Sequence, residues 1–71
     1  MTNTELLRQK INESGISVTF LADKCGVSRE YFYQKLNGTV EFKQSEIVAL
    51  QEALHLKQSE RNDIFFANKV N

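Results

Sequence analysis

Residues 20–38 read F-L-A-D-K-C-G-V-S-R-E-Y-F-Y-Q-K-L-N-G, and this stretch decides the fold. The pattern predicts a short helix that ends near Lys24, a turn that contains Gly26, and a second helix that runs from Ser28 to Gly38. A helix, a short glycine-containing turn and a second helix are together typical of a helix-turn-helix.

The turn between the two predicted helices is specified by its own residues. Gly26 follows the last residue of the first helical pattern, where a left-handed backbone is needed and glycine adopts it at low cost. Ser28 is placed as the N-cap of the second helix, because its hydroxyl can accept from the free amides of the first turn. Val27 and Phe32 flank this cap at the spacing of a hydrophobic staple, which fixes the exit angle of the second helix.

Helical spacing of apolar residues continues on both sides of this stretch. A first helix is expected over residues 2–13, where Thr2 and Glu5 are spaced as a capping box. The second helix is expected to begin after Ser17, with Phe20 facing inward. Two further helices are expected over residues 44–54 and 58–68, and each starts at the tetrapeptide K-Q-S-E, in which the serine could cap. The chain is therefore predicted to be all-α with five helices.

Length and charge limit the class of protein. Seventy-one residues form one domain, 1–71, with the helix-turn-helix at about 17–38, and they are too few to build a substrate cleft with a buried catalytic shell. Nine Lys and Arg balance nine Asp and Glu, so the formal net charge is zero, whereas dedicated DNA-binding domains usually carry a basic surplus. A binding module is the first expectation, and an enzyme is not expected.

The chain also lacks the usual patterns of secretion, membrane insertion and cofactor chemistry. A single cysteine cannot form an internal disulfide, the N-terminus has no signal-peptide layout, and no apolar run is long enough to span a bilayer, so we expect a cytoplasmic protein without membrane contact. Cys25 is expected to pack between helices, and His55 has no second ligand near it in sequence. No metal or other cofactor is therefore predicted.

The residues at the key positions resemble a known family, the Cro and repressor type of helix-turn-helix, also called XRE-like. The resemblance is carried by Leu21-Ala22, Gly26-Val27-Ser28, Phe32, Leu36 and Asn37-Gly38. It implies a five-helix lambda-repressor-like DNA-binding domain, similar to small regulators of the lysogeny switch in temperate phages of Gram-positive bacteria. In that family helix 3 enters the major groove and a homodimer reads a near-palindromic operator in the bacterial host cell. Val18 departs from the family, which usually has Thr or Gln at the second residue of helix 2.

The resemblance assigns candidate contacts residue by residue. It implies base-edge contacts from Arg29, Glu30, Tyr33 and Gln34, and phosphate contacts from Ser17, Ser28, Asn37 and Lys43. Helical spacing alone also places positions 29, 30, 33, 34 and 37 on one exposed face. Arg29 could bind guanine and Gln34 could bind adenine, each through two hydrogen bonds.

A second interpretation of the same exposed surface is that its ligand is a protein. Tyr31, Tyr33 and Phe42 could form an aromatic surface, and Arg and aromatic residues dominate protein-protein hot spots. Between Ser17 and Lys43 the cations outnumber the anions by only one. The chain could therefore be an anti-repressor that binds a partner repressor, and one surface could serve both ligands.

A third interpretation places the binding surface at the end of the chain. Phe65 and Phe66 are adjacent, so one is expected to close the core beside Ile64 while the other faces outward. The outward ring, together with Val70, could then serve an oligomerisation module that does not bind DNA.

Overall fold

The computed structural model describes residues 1–66, which form five helices and contain no strand. The helices are α1 (Thr4–Ser14), α2 (Val18–Cys25), α3 (Arg29–Leu36), α4 (Gln44–Ala53) and α5 (Gln58–Phe65). The prediction of an all-α chain with five helices is confirmed for this part of the chain. The expected continuation of the last helix to residue 68, and the role of Val70, lie outside the described residues. None of the helices within residues 1–66 combines the length and the apolar character needed to cross a membrane.

The core contains apolar side chains from all five helices and from the loops between them. Its buried members are Leu7, Ile11, Leu21, Ala22, Phe32, Leu36, Phe42, Ile47, Leu50, Leu54, Leu56, Ile64 and Phe65. Helix α2 packs against α3 and α4, while α1 packs against α3 and α5. This arrangement holds α3 at one side of the bundle, with α1 and α2 packed against it.

Phe42 lies in this core, which corrects the expectation that it belongs to an exposed aromatic surface. Its ring meets Phe32 at a centroid distance of 5.9 Å and Phe65 at 5.7 Å, both edge to face. Such aromatic pairs add stability beyond their buried area. The loop before α4 therefore turns inward because its aromatic ring links α3 to α5.

The α2–α3 turn has the predicted geometry. Gly26 has a φ of 74°, in the left-handed region, and the amide of Val27 donates to the carbonyl of Ala22 at 3.0 Å. The Ser28 hydroxyl accepts from the amide of Tyr31 at 3.0 Å, so it caps α3 as expected. Glycine and cap together fix the angle between α2 and α3.

The starts of three other helices differ in part from the sequence prediction. Helix α1 is capped by Asn3, whose side chain accepts from the amide of Leu6 at 3.1 Å, so the predicted capping box at Thr2 is wrong. At α4 and α5 the serines of K-Q-S-E do not cap. The Glu46 and Glu60 carboxylates instead reach back to the preceding lysine amides, each at 2.8 Å, since a carboxylate three residues into a helix can satisfy that free donor.

Phe20 faces outward, which corrects the expectation that it faces the core. Leu21 and Ala22 take the buried positions of α2, and Phe20 is rotated by about 100° from Leu21 around the helix. Phe20 is 46% exposed, and the Lys24 ammonium lies 5.4 Å from its ring centroid.

Helix α5 closes the bundle against α1. The amide of Asn3 donates to the carbonyl of Ile64 at 2.6 Å, and the ammonium of Lys10 lies 2.9 Å from a Glu60 carboxylate oxygen. Ile64 and Phe65 are buried, whereas Phe66 is exposed. The expectation that one of the two adjacent phenylalanines completes the core is confirmed, and the buried one is Phe65.

Candidate binding surface on α3

One side of α3 presents a continuous polar and aromatic face. The exposed side chains of this α3 face are Arg29, Glu30, Tyr33, Gln34 and Asn37. Phe32 and Leu36 lie on the other side of the helix and are buried. The structure therefore brings together all four candidate base-edge or partner contacts and one candidate phosphate contact.

Arg29 and Tyr33 form a pair within this face. The Arg29 guanidinium carbon lies 5.8 Å from the centroid of the Tyr33 ring, within the range of a cation–π contact. Tyr33 remains 36% exposed, so part of this residue is accessible to a ligand. The two side chains are one helical turn apart. A ligand can therefore contact the apolar ring of Tyr33 and the charged guanidinium of Arg29 together.

Arg8 of α1 completes the C-terminal end of the α3 face. Its guanidinium donates to the carbonyl of Leu36 at 3.3 Å and also to the Oδ1 atom of Asn37. A cation there is favourable because the last carbonyls of a helix carry partial negative charge. The oxygen of Asn37 is thereby engaged, and the side-chain NH₂ group of this exposed residue can still donate to a ligand. Sequence reasoning missed Arg8 because 28 residues separate it from Leu36 and no local pattern connects the two.

The charge of Lys35 is buried beneath the α3 face. Its ammonium donates to the carbonyl of Glu41 and pairs with a carboxylate oxygen of Glu46, both at 3.0 Å. The side-chain exposures of Lys35 and Glu46 are 0% and 4%. The ring centroids of Tyr31 and Phe42 lie 4.7 and 5.7 Å from the same ammonium. Lys35 therefore contributes no cation to the surface.

This burial changes the surface charge of the α2–α3 region. Between Ser17 and Lys43 the sequence has four cations and three anions. Without Lys35, three exposed cations remain, at positions 24, 29 and 43, against three exposed anions, at positions 23, 30 and 41. The exposed charges of residues 17–43 therefore balance, and Arg8 of α1 adds one cation at the end of the α3 face.

The remaining candidate phosphate contacts lie at three helix starts. Ser17 caps α2 by accepting from the amide of Phe20 at 3.1 Å, as Ser28 caps α3. Each hydroxyl can still donate its hydrogen to a ligand. Lys43 is exposed at the N-terminus of α4. Among the aromatic candidates Tyr31 and Phe66 are exposed, while Phe42 and Phe65 are core residues and are not available for contact.

A notch of about 210 Å³ borders the α3 face, between α1, α2 and α3. Its polar lining residues are Arg8, Asn12 and Tyr33, and its apolar lining residues are Ile11, Val18 and Leu36. Val18 stands at the position where Thr or Gln was expected from the family pattern. Val18 adds a partly exposed apolar group to a notch whose other apolar residues, Ile11 and Leu36, are buried.

Cys25 lies half-buried at the end of α2. Burial raises the pKa of its thiol to about 11, and the nearby Glu46 carboxylate acts in the same direction. The thiol is therefore protonated at neutral pH, and its Sγ atom lies 3.9 Å from the carbonyl of Glu46. In the described part of the chain no three His, Cys, Asp or Glu side chains converge as metal ligands would.

No family model matches the chain, and no curated protein or solved structure matches it either. The functional interpretation therefore depends on the chemistry of the α3 face.

Proposed function

We propose that the chain is a transcription regulator of the Cro and repressor helix-turn-helix type that acts through the α3 face. We further propose that its main ligand is a partner repressor protein, whose DNA binding it modulates as an anti-repressor. The single observation that carries this choice is the burial of Lys35 against Glu46, which leaves the exposed cations and anions of residues 17–43 equal in number.

Electrostatics weigh against DNA as the main ligand. Nonspecific DNA affinity comes mostly from Lys and Arg that displace counterions from phosphates. Here the exposed cations and anions of the α2–α3 region are equal in number, and Glu30 lies in the first turn of α3 itself. A carboxylate at that position repels phosphates unless it accepts a hydrogen bond from a cytosine amino group.

The shape and chemistry of the α3 face suit a protein. Tyr33 and Arg29 are of the residue types that dominate protein-protein hot spots, and the adjacent notch can accept an apolar side chain of the partner. A repressor carries Lys and Arg where it binds phosphates, so Glu30 can attract that same surface by charge complementarity. Binding there would cover the partner's DNA-contacting residues.

The first test is whether the neighbouring, oppositely oriented gene encodes a longer repressor. Isothermal titration calorimetry of the full chain with that repressor is then the measurement. We expect Tyr33→Ala to raise the dissociation constant by at least about tenfold, because truncating a hot-spot aromatic costs about 2 kcal/mol. Phe66→Ala is the matched control, since Phe66 is also 36% exposed but lies beyond α5. Unchanged binding by the Tyr33→Ala variant would exclude the α3 face as the contact.

Operator DNA is the second candidate ligand, and the exposure of Arg29 and Gln34 on α3 favours it. Fluorescence anisotropy with the chain's own promoter region at low salt is the measurement. If DNA is bound specifically, Arg29→Ala and Gln34→Ala should relax the sequence preference, whereas Lys43→Ala should weaken all sequences and reduce the salt slope by about 1. Equal affinity for promoter and random DNA would leave the repressor as the proposed ligand.

A further inference from the structure

The notch beside the α3 face is lined by one cation and by no anion. Arg8 carries the formal charge, and none of the lining residues, all of which lie within residues 1–66, is Asp or Glu. The Asn12 amide and the Tyr33 hydroxyl are its other polar lining groups, and both can donate hydrogen bonds. The notch therefore presents donors beside a positive charge, which is the surrounding that an anionic group prefers.

The Arg8 guanidinium is anchored by contacts that leave some of its donors unused. Both of its hydrogen bonds, to the Leu36 carbonyl at 3.3 Å and to the Oδ1 atom of Asn37, come from Nη2. Arginine has five N–H donors, so the Nε and Nη1 atoms of this exposed residue can still donate. Arg8 belongs to neither of the two ion pairs found within residues 1–66. Because the side chain is already held in place, less conformational entropy is lost when it binds a ligand.

The size and apolar lining of the notch favour a carboxylate that is carried on a hydrocarbon stem. The notch of about 210 Å³ is a space for one side chain, and partly exposed Val18 belongs to its lining. The CH₂ groups of an acidic side chain can leave water against this apolar residue while the carboxylate meets Arg8. The stem would then be the apolar part of the partner's side chain, and the carboxylate would be its end.

A carboxylate at this place also complements the charges along α3. Glu30 lies at the start of the α3 face and Asn37, which binds Arg8, lies at its end. The seven residues between them span about 10 Å along the helix axis. A partner with a cation opposite Glu30 and a carboxylate about 10 Å away would satisfy both ends, whereas the reverse orientation would bring like charges together.

We propose that Arg8 and the notch bind the carboxylate of an aspartate or glutamate side chain of the partner repressor. This inference rests on the proposed function, because it names a chemical group of the partner that the α3 face binds. Arg8 supplies the charge and an N–H group, and the Asn12 amide or the Tyr33 hydroxyl supplies a further donor. The carboxylate fixes the orientation of the partner on α3.

Nuclear magnetic resonance of the full, ¹⁵N-labelled chain tests the site without the partner. Sodium propionate, a carboxylate on a short apolar stem, is titrated at constant ionic strength, and propionamide is its neutral analogue. With propionate we expect saturable shifts of the Arg8 Nε–H and Asn12 side-chain NH₂ signals, at a dissociation constant on the order of 100 mM or lower. Arg8→Gln should abolish the Asn12 shift, whereas Lys43→Gln, at an exposed lysine outside the notch, should retain it. Equal shifts with propionamide, or an Asn12 shift that Arg8→Gln leaves intact, would overturn the proposal.

Calorimetry with the repressor separates this inference from the proposed function. Arg8→Gln should raise the dissociation constant at least about fivefold, and Arg8→Lys, which keeps the charge, should raise it less. Unchanged binding by Tyr33→Ala would exclude the α3 face itself. If Tyr33→Ala weakens repressor binding and Arg8→Gln does not, the carboxylate site alone is overturned, and a loss of promoter DNA binding by Arg8→Gln would then identify its anion as a phosphate. Circular dichroism should first establish that both Arg8 variants keep their helix content, because Arg8 also binds the end of α3.

Discussion

The ammonium group of Lys35 is buried and has four neighbouring groups of the protein. They are the Glu41 carbonyl, the Glu46 carboxylate, and the rings of Tyr31 and Phe42. A buried ion pair adds little net stability compared with an apolar pair, but removing one partner leaves an uncompensated charge in the core. The pair also joins α3 to the start of α4, so it holds the α3 face in place.

A double-mutant cycle on Lys35 and Glu46 tests this role. Lys35→Met and Glu46→Gln should each lower the free energy of unfolding by about 3 kcal/mol, and the double variant should lose less than the sum by at least about 1 kcal/mol. Glutamine can still accept from the amide of Lys43, so the helix cap is retained. Urea denaturation followed by circular dichroism is the measurement. Additive losses would mean that the two side chains do not interact.

His55 is the one non-glycine residue with positive φ among residues 1–66, at 55°, in the turn between α4 and α5. A residue with a Cβ atom is strained in this left-handed backbone conformation, because the Cβ lies too close to the following carbonyl oxygen. His55→Gly should raise the free energy of unfolding by about 0.5–1 kcal/mol. Gly15→Ala is the reciprocal control: a Cβ there meets no atom within 4 Å, yet φ is 73°, so the backbone strain alone should cost about 1 kcal/mol. A rise in stability for both variants would contradict this account.

Helix α3 could be predicted from the sequence because its limits depend on neighbouring residues. Gly26 and Ser28 act through backbone atoms no more than four residues away, and such contacts are readable from a pattern. The start of α1 could not be predicted in the same way, since Thr2 and Asn3 are both competent caps. The structure uses Asn3, whose own amide also donates to the carbonyl of Ile64, a residue far away in sequence.

The N-terminus of α3 has a structural role that can be separated from a binding role. Ser28→Ala should lower the free energy of unfolding by about 1 kcal/mol through loss of the cap, whereas Ser28→Asp should keep it, because a carboxylate also accepts from the first-turn amides. If operator DNA is a ligand, the aspartate variant should bind it more weakly despite its retained stability. Thermal denaturation and anisotropy measure the two effects. Equal stability of the alanine variant and the wild type would show that the hydroxyl is not an effective cap.

At the scale of the whole molecule, the features that could not be predicted are those set by packing between distant segments. The exposed positions of α3 follow from helical spacing alone, and the structure has them as predicted. The contact of Arg8 with Asn37, the burial of Lys35 and the inward turn of Phe42 each need a neighbour that only the folded bundle supplies. These three features decide the charge and outline of the α3 face, so they also decide which ligand suits it.

Ile64 and Phe65 of α5 are part of the core, and this limits how an oligomerisation role for the C-terminal aromatics can be tested. Truncation after Asn62 would remove Ile64 and Phe65 from the core, so the truncated chain should unfold and could not report on association. Ile64→Ala alone should lower the free energy of unfolding by about 3 kcal/mol, whereas Phe66→Ala, at an exposed ring, should change it by no more than about 0.5 kcal/mol.

The Phe66→Ala variant therefore separates association from folding, and light scattering at matched concentration is the measurement. A loss of association with unchanged stability would locate the oligomer contact at the end of α5. Association that the Phe66→Ala variant retains would exclude the exposed Phe66 ring as the oligomer contact.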